Sequence, residues 1–163
     1  MFALHTARAG SPAELYAELL EQARALLHGE RDATANAANL ASLVFHTLPE
    51  LNWAGFYWLR GGELVLGPFQ GKPACVRIAM GRGVCGTAAR ERHTILVPDV
   101  SAFPGHIACD AASVSEMVVP LVKDGELLGV LDLDSPLPGR FDEDDRRGLE
   151  ALALAWVDGS RHP

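Results

Sequence analysis

The chain has 163 residues, of which 48% are apolar and 21% are charged, and its formal net charge is -7. These values predict one compact domain with a sizeable core. They exclude nucleic acid as a partner, because binding to phosphates relies on clustered Lys and Arg and the 14 basic residues are scattered here. No apolar run reaches the roughly 20 residues that span a bilayer, and the start MFALHTARAG lacks the features of a signal peptide. We therefore expect a cytoplasmic protein with no membrane partner.

Two helices are expected at the start of the chain, over about residues 12–48. The segment SPAE that begins at Ser11 has the form of a capping box with Pro at the first helical position, and Leu recurs after it at helical spacing up to Gly29. A second helix is expected after Asp32, and Pro49 ends it.

Two β-hairpins are expected in the sheet core, over about residues 51–135. The turn sequence RGGE at residues 60–63 joins LNWAGFYWL to ELVLG, and KDGE at residues 123–126 joins MVVPLV to LLGVLDL. Gly-containing two-residue turns between apolar runs are typical of hairpins. These segments therefore predict four strands, paired antiparallel.

The remaining elements complete the sheet and close the domain. A further strand is expected through Val76, Ile78 and Met80. A short helix is expected to start around Gly83 and Gly86 and to end near His93, and ILVPDV predicts a sixth strand. An acidic run precedes a final helix over about residues 142–158. The order predicts an α+β fold with a central, mostly antiparallel six-stranded sheet flanked by N- and C-terminal helices.

One connection is longer than is usual in a compact domain. Residues 98–116 contain Pro, Gly, Ser and Asp and show no sustained period. Connections of this length are usually binding or catalytic features. Because Cys109 lies inside it, we expect this loop to belong to the functional site.

Period-two alternation along the strand from residue 51 brings Trp53, Gly55, Tyr57 and Leu59 to one face and Phe56 and Trp58 to the other. Gly55 would leave a gap between two aromatic walls, a slot that suits a thioether, a methyl sulfoxide or a flat ring. The alternative is that the aromatic pair only builds core.

The last strand is expected to gather carboxylates. Alternation puts Leu128, Val130, Asp132 and Asp134 on one face, and Leu127, Leu131 and Leu133 on the other. Glu116, at the start of the partner strand, is in reach across the hairpin. Like charges this close raise the pKa of at least one of the carboxyl groups, so one is expected to stay protonated at neutral pH. The competing interpretation is a solvated strand end, but the strand is otherwise apolar.

The three cysteines, Cys75, Cys85 and Cys109, do not form a structural disulfide framework, because the number is odd and a reducing compartment keeps thiols free. Each could simply be a buried small hydrophobe. No CxxC or HxxxH spacing occurs, so no metal site is expected. On electrostatics alone Cys85 has the better support for a thiolate, since it lies near a helix N-terminus, whereas Asp110 follows Cys109. His106 is interpreted as a solvated loop residue.

The segments NWAGFYWL, GPFQGKPAC, GRGVCGTA, HIACDAASVSEMVVPL and GVLDLDSP closely resemble the free methionine-(R)-sulfoxide reductases, which are single GAF domains. The resemblance covers nearly all of residues 51–141, and with the helical ends it implies one GAF domain over residues 1–163. It implies reduction of free L-methionine-(R)-sulfoxide to methionine with thioredoxin as reductant and no cofactor.

The resemblance also implies the roles of individual residues. Cys109 in HIACD matches the attacking cysteine, Cys75 in GKPAC the resolving cysteine, and Cys85 in GRGVC a third, auxiliary thiol; which of Cys75 and Cys85 resolves first stays open. The matched substrate-binding positions are Glu116, Asp132, Asp134, Trp53 and Tyr57. Glu116 or an aspartate would protonate the leaving oxygen. Backbone N–H groups around Ile107, Ala108 and Cys109 are expected to hold the substrate carboxylate.

Two rival functions belong to other classes. A non-catalytic GAF sensor for a small ligand would share the sheet and the pocket but would not need a thiol pair. A structural or interaction domain would have inert cysteines. A homodimer is a further expectation, since GAF domains often dimerise.

Overall fold

The computed structural model describes residues 10–162. The expectation that the start of the chain lacks signal-peptide features concerns residues 1–9, and these lie outside the described residues. The helices are α1 Pro12–Leu27, α2 Ala33–Thr47, α3 Gly83–Glu91 and α4 Glu143–Gly159; the strands are β1 Trp53–Arg60, β2 Glu63–Gly71, β3 Arg77–Ala79, β4 Ile95–Val97, β5 Ser115–Lys123 and β6 Glu126–Ser135. The six strands form one sheet in the order β3-β2-β1-β6-β5-β4, and all five neighbouring pairs are antiparallel. The predicted α+β fold is confirmed.

The sheet separates two apolar clusters because side chains alternate along its strands. On one face Phe56 and Leu131 pack with α1, α2 and α4. On the other face Trp53, Tyr57 and Val118 pack with α3 and the loops. The face assignment predicted for β1 is confirmed. The helical layer supplies the larger core, and the second face carries the pocket described below.

Both hairpin turns form where glycine was expected to allow them. In the first, Gly61 and Gly62 have φ of 60° and 84°, and in the second Asp124 and Gly125 have φ of 51° and 81°. Two consecutive residues with positive φ match the twist of the flanking strands. The turns fix the pairing of Arg60 with Glu63 and of Lys123 with Glu126.

A β-bulge in β6 makes part of the face prediction wrong. Leu121 pairs with Gly129 and Val122 pairs with Leu127, so Leu128 has no partner on β5. The extra residue reverses the alternation at that point. Leu127 consequently packs into the α3 cluster and Leu128 against the helical layer, the opposite of the prediction. The assignment from Val130 onward is unaffected.

The third strand and the long connection are both shorter than predicted. β3 comprises only Arg77–Ala79, and Val76, expected inside it, is 62% exposed. The long connection runs over residues 98–114 and contains a 3-10 turn, Val100–Ala102. Hydrogen bonds from the Val100 N–H to the Val114 carbonyl and from the Val114 N–H to the Ser135 carbonyl, both 2.8 Å, fix its ends beside the sheet. The loop that carries Cys109 is thus anchored at its base.

The predicted capping box at α1 is half correct. The Ser11 hydroxyl accepts from the Glu14 N–H, but the Glu14 carboxylate accepts from Gly10, at 2.9 Å, rather than from Ser11. A complete capping box forms instead at α4, where Asp142 and Asp145 exchange side-chain to backbone hydrogen bonds. Among residues 10–162, no helix has both the length and the apolar character needed to cross a membrane.

The Asp145 carboxylate also joins three parts of the helical layer. It accepts from the Tyr16 hydroxyl of α1 at 2.6 Å and from Arg140 at 3.0 and 3.1 Å. Arg140 in turn donates to the Pro49 carbonyl at 3.2 Å. Asp145 is 5% exposed, so each of these contacts is largely shielded from water.

We expect Asp145→Ala to destabilise the protein by about 3 kcal/mol, because it removes the acceptor of the buried Tyr16 hydroxyl and the nearest carboxylate partner of Arg140, whose side chain is only 13% exposed. Thermal unfolding should show a Tm lower by about 6–12 °C. Asp144→Ala is the matched control: Asp144 lies in the same helical turn and pairs with Arg147 on the surface, so its removal should cost less than about 1 kcal/mol. Equal Tm losses in the two variants would contradict this role of Asp145.

Candidate active site

A pocket opens on the sheet face opposite to α1, α2 and α4. It lies between the centre of the sheet, the start of α3 and the long loop. Its lining residues are Trp53, Tyr57, Ala74, Ile78, Arg82, Gly83, Val84, Cys85, His106, Ile107, Cys109, Asp110, Ser113, Glu116, Asp132 and Asp134. The pocket thus brings together nearly all the predicted site residues.

The three carboxylates meet because β5 and β6 are paired in the sheet. Glu116 pairs directly with Asp134, and Asp132 lies two residues before Asp134 on the same face. β6 lies between β1 and β5, so its side chains are covered on both sides. Glu116 and Asp132 are 7% and 6% exposed. The interpretation as a solvated strand end is therefore wrong.

Burial and mutual repulsion favour the protonated forms of these groups. Burial raises the pKa of Glu116 well above its usual value, and the negative charges of Asp132 and Asp134 raise it further. Burial raises the pKa of Asp132 to about 7. Burial and then the charge of Asp132 raise the pKa of Asp134 well above its usual value. At neutral pH the cluster holds protons, so it can donate one to a leaving oxygen and still offer a carboxylate to a cation.

The Cys85 thiol lies beside this cluster, with its Sγ 3.8 Å from Glu116 Oε1. Cys85 is the third residue of α3, as expected near a helix N-terminus, but it is only 4% exposed. Burial, followed by the charges of Asp132 and Glu116, raises the pKa of the Cys85 thiol well above its usual value. The electrostatic prediction that favoured a Cys85 thiolate is wrong, because desolvation and the neighbouring carboxylates outweigh the helix terminus.

Cys75 and Cys109 form a disulfide at the rim of the pocket. Their Cα atoms are 5.4 Å apart, although 34 positions separate them in the sequence. Cys75 lies between β2 and β3, and Cys109 lies in the long loop. Both residues are half-buried. The two thiols that the sequence resemblance pairs are thus within bonding distance, and Cys85 is the free cysteine.

The predicted slot over Gly55 is not present. The Trp53 and Tyr57 rings stack with centroids 5.9 Å apart, and Phe69 stacks on Trp53 at 5.3 Å. A Cβ atom on Gly55 would lie 2.3 Å from the Phe69 Cβ and 2.6 Å from the Trp53 ring. The absence of a side chain at Gly55 lets the rings close over it, so Trp53 and Tyr57 form one wall of the pocket.

The same two aromatic residues hold the segment that carries Cys75. The Trp53 indole N–H donates to the Lys72 carbonyl at 3.2 Å, and the Tyr57 hydroxyl donates to the Cys75 carbonyl at 3.0 Å. From the sequence, both residues were expected either to bind the substrate or to build core. Nothing in a strand pattern signals a bond to a backbone carbonyl of another connection.

The loop that carries Cys109 is held by Asn52, a residue that the sequence analysis missed. The Asn52 amide donates to Asp110 at 3.2 Å and to Ser113 at 3.0 Å. Asp110 also accepts from the Ala112 N–H, which lowers the pKa of its carboxyl group. The Asp110 charge is thus occupied by donors on its own loop and on Asn52.

Three predictions about the loop need correction. Ile107 lines the pocket, but Ala108 is exposed and does not line it. The Cys109 N–H, expected to bind a substrate carboxylate, already donates to the Ile107 carbonyl at 3.0 Å. His106, interpreted as solvated, lines the pocket, and its Nδ1 is buried without a hydrogen-bond partner among the described residues. The short spacing between His106 and Cys109 in the sequence could have indicated that His106 belongs to the site.

Comparisons with known proteins agree with this geometry. The GAF domain family matches residues 34–155. Over 139 residues the chain is 52% identical to a protein of Escherichia coli named free methionine-R-sulfoxide reductase, covering 85% of this chain and 84% of that protein. The solved structure of free methionine-R-sulfoxide reductase from Neisseria meningitidis, in complex with its substrate, is 45% identical, with a TM-score of 0.93 and coverage of 98% of this chain and 95% of that chain.

A structure described as that of a proposed GAF sensor protein from Burkholderia vietnamiensis is 64% identical, with a TM-score of 0.90, and the match covers 93% of this chain and 96% of that chain. The names of these relatives thus include both an enzyme and a sensor. Identity near 50% over most of both chains, together with the matching domain, shows the family. The chain belongs to the GAF-domain family of free methionine-R-sulfoxide reductases.

Proposed function

We propose that this protein reduces free L-methionine-(R)-sulfoxide to L-methionine. The observation that carries the proposal is the Cys75–Cys109 disulfide at the rim of a pocket that contains the buried Glu116 and Asp132 and the half-buried Asp134. Two relatives, from Escherichia coli and Saccharomyces cerevisiae, bear the name of this activity. We treat residues 1–163 as one GAF domain that acts without a cofactor.

The first step transfers oxygen from the substrate to Cys109. The Cys109 thiolate attacks the sulfoxide sulfur, an S–S bond forms, and the protonated oxygen leaves as water. Water then attacks Cys109 Sγ, the S–S bond breaks, a proton is released, and the products are methionine and a sulfenic acid on Cys109, so the substrate gains two electrons and the cysteine loses two. The oxygen leaves only when it accepts a proton. We assign this proton to Glu116, because burial and the charges of both aspartates raise its pKa and keep it protonated at neutral pH.

The second step closes the disulfide. The Cys75 thiol condenses with the Cys109 sulfenic acid, which releases water and forms the Cys75–Cys109 bond. Thioredoxin then reduces this bond by thiol–disulfide exchange, and a reducing cytoplasm would supply that reductant. Cys85 has no electron-transfer role in this cycle and is an auxiliary thiol.

Substrate recognition follows from the charges in the pocket. Burial raises the pKa of Asp132 to about 7, whereas hydrogen bonds from Cys85 and Glu116 favour its charged form, so we assign to Asp132 the negative charge that holds the substrate ammonium. Asp134 lies beside it. The substrate carboxylate is assigned to the backbone N–H of Ile107, which lines the pocket, and the thioether end of the substrate to the wall formed by Trp53 and Tyr57. A free amino acid fits this arrangement because a flanking peptide would remove the ammonium.

A non-catalytic sensor is the second candidate function. The name of the Burkholderia vietnamiensis relative favours it. A sensor explains the pocket but needs no pair of half-buried cysteines at its rim. Counting free thiols after the reduced protein is mixed with the sulfoxide decides between the two: the enzyme loses two thiols per chain and releases methionine, and a sensor loses none. A homodimer remains part of the proposal, and the oligomeric state in solution tests it.

We expect the three cysteines to differ in single-turnover experiments without reductant. Cys109→Ser should release no methionine. Cys75→Ser should release one equivalent and then stop with an unresolved sulfenic acid, because the condensing thiol is missing. Cys85→Ser is the matched control and should still release one equivalent and form the disulfide. Methionine release from Cys109→Ser, with none from Cys85→Ser, would exchange the two assignments.

Blocking the substrate ammonium tests the role of Asp132. We expect kcat/KM for N-acetyl-methionine-(R)-sulfoxide to be roughly 100-fold lower than for the free amino acid, because a buried carboxylate loses its charged partner. Asp132→Asn should narrow this difference, since it removes the charge that discriminates between the two. Equal kcat/KM values for both sulfoxides in the unaltered protein would rule out the ammonium contact.

Glu116→Gln should separate the catalytic role of this residue from its effect on stability. The amide cannot give up a proton, so kcat should fall about 100-fold with a smaller change in KM. The folded-state pKa is raised, so folding binds a proton and the unaltered protein loses stability as pH rises above the unfolded pKa of about 4.3. The Tm of Glu116→Gln should therefore match the original at pH 4 and exceed it by several degrees at pH 8. A lower Tm at pH 8 would contradict the raised pKa.

A further inference from the structure

Three potential metal ligands from three separate elements meet at the inner end of the pocket. Cys85 comes from α3, Glu116 from β5 and Asp132 from β6, and their ligand atoms all lie within 4.8 Å of one another. The residues lie far apart in the sequence, so a search for short motifs such as CxxC does not find them. The reaction proposed above also gives Cys85 no task in electron transfer.

We propose that Cys85, Glu116 and Asp132 form a binding site for a divalent metal ion of borderline softness, of which Zn²⁺ is the type. A tetrahedral zinc ion with Zn–S of about 2.3 Å and Zn–O of about 2.0 Å places sulfur and oxygen about 3.5 Å apart. Cys85 Sγ and Glu116 Oε1 are 3.8 Å apart, so small side-chain shifts bring them to this distance.

An independent observation indicates a ligand at this position. Asp132 is 6% exposed, and its Oδ1 is buried without a hydrogen-bond partner among the described residues. Buried carboxylate oxygens normally have a partner, and those without one call for a ligand. His106 lines the same pocket, and its buried Nδ1 also has no partner among residues 10–162. Cys85, Glu116 and Asp132 would supply one sulfur and two oxygens, and solvent would take the fourth position of a tetrahedral ion.

The donor set selects the class of metal. Mg²⁺ and Ca²⁺ take oxygen ligands almost only, so a thiolate in the set disfavours them. A substrate ammonium would use the carboxylates but gains nothing from the sulfur. Metal binding releases the protons of the Cys85 thiol and of Glu116 to solvent, two per ion, while Asp132 binds as the carboxylate. The charge of the ion replaces the protons that otherwise limit repulsion in the cluster.

Metal and substrate would exclude each other, because both use Glu116 and Asp132; this consequence rests on the proposed function, but the metal site does not. The test accordingly uses the oxidised protein with the Cys75–Cys109 disulfide formed. In that form Cys85 is the only thiol that can bind a metal, and no turnover takes place.

The experiment titrates oxidised protein with Co²⁺, a probe for zinc sites, and follows the thiolate-to-cobalt charge-transfer absorption in the near ultraviolet. We expect one Co²⁺ per chain, displacement by Zn²⁺, and proton release that rises toward two per ion. Cys85→Ser should abolish the absorption, and Asp132→Asn, which keeps the thiol, should weaken binding at least about tenfold. Glu91→Gln is the control, because Glu91 and His93 form an exposed pair on the surface that could bind a metal weakly. It should change nothing.

Absence of the charge-transfer absorption, or cobalt affinity unchanged in Asp132→Asn, overturns the proposal. Thermal unfolding of each variant shows whether it is folded. If Cys85→Ser does not fold, the cobalt affinity of Asp132→Asn alone tests the metal site. Adding methionine-(R)-sulfoxide should weaken cobalt binding by competition. Cobalt binding that the sulfoxide leaves unchanged would remove the ammonium site of the proposed function and leave the metal site intact.

Discussion

Three carboxyl groups on adjacent strands, two of them buried and one half-buried, determine what the pocket can bind. The interior of a protein strongly disfavours several unpaired negative charges, so the cluster must hold protons, a cationic ligand or a metal ion. The sheet imposes this arrangement, since Glu116 and Asp134 are cross-strand partners and Asp132 is covered by strands on both sides. The pocket is thus an acidic site that burial keeps partly neutral. A bound cation would lower the free energy of the folded protein, because it offsets the repulsion between the carboxylates.

The first strand organises both halves of the disulfide. Trp53 and Tyr57 hold the connection that carries Cys75, and Asn52, directly before the strand, holds the loop that carries Cys109. The Asn52 N–H also bonds to the Asp134 carbonyl at 3.0 Å, which joins this anchor to the acidic strand. The positions of the cysteines and of the carboxylates therefore depend on one short stretch of backbone. On the other face, Phe56 of the same strand packs under the helices.

Features that depend on local sequence could be predicted, and those that depend on packing could not. The hairpins follow from turn residues such as Gly61 and Gly125, and the acidic face follows from period-two spacing, since both are properties of neighbouring residues. The bulge at Leu128 depends on how two strands meet, and a pattern within one strand does not reveal it. The state of Cys85 was mispredicted for the same reason. Its helix position is visible in the sequence, whereas its burial beside Glu116 comes from β5.

The Cys75–Cys109 bond closes a loop of 34 residues that includes α3, β4 and half of the pocket lining. A cross-link over that length reduces the conformational entropy of the unfolded chain, which corresponds to about 4 kcal/mol in the chain-entropy treatment. If turnover makes and breaks this bond, each catalytic cycle alternates the molecule between a tethered and an untethered chain. The oxidised form is then more resistant to heat and proteolysis than the reduced form. The lifetime of the folded protein would therefore depend on how much reductant is available.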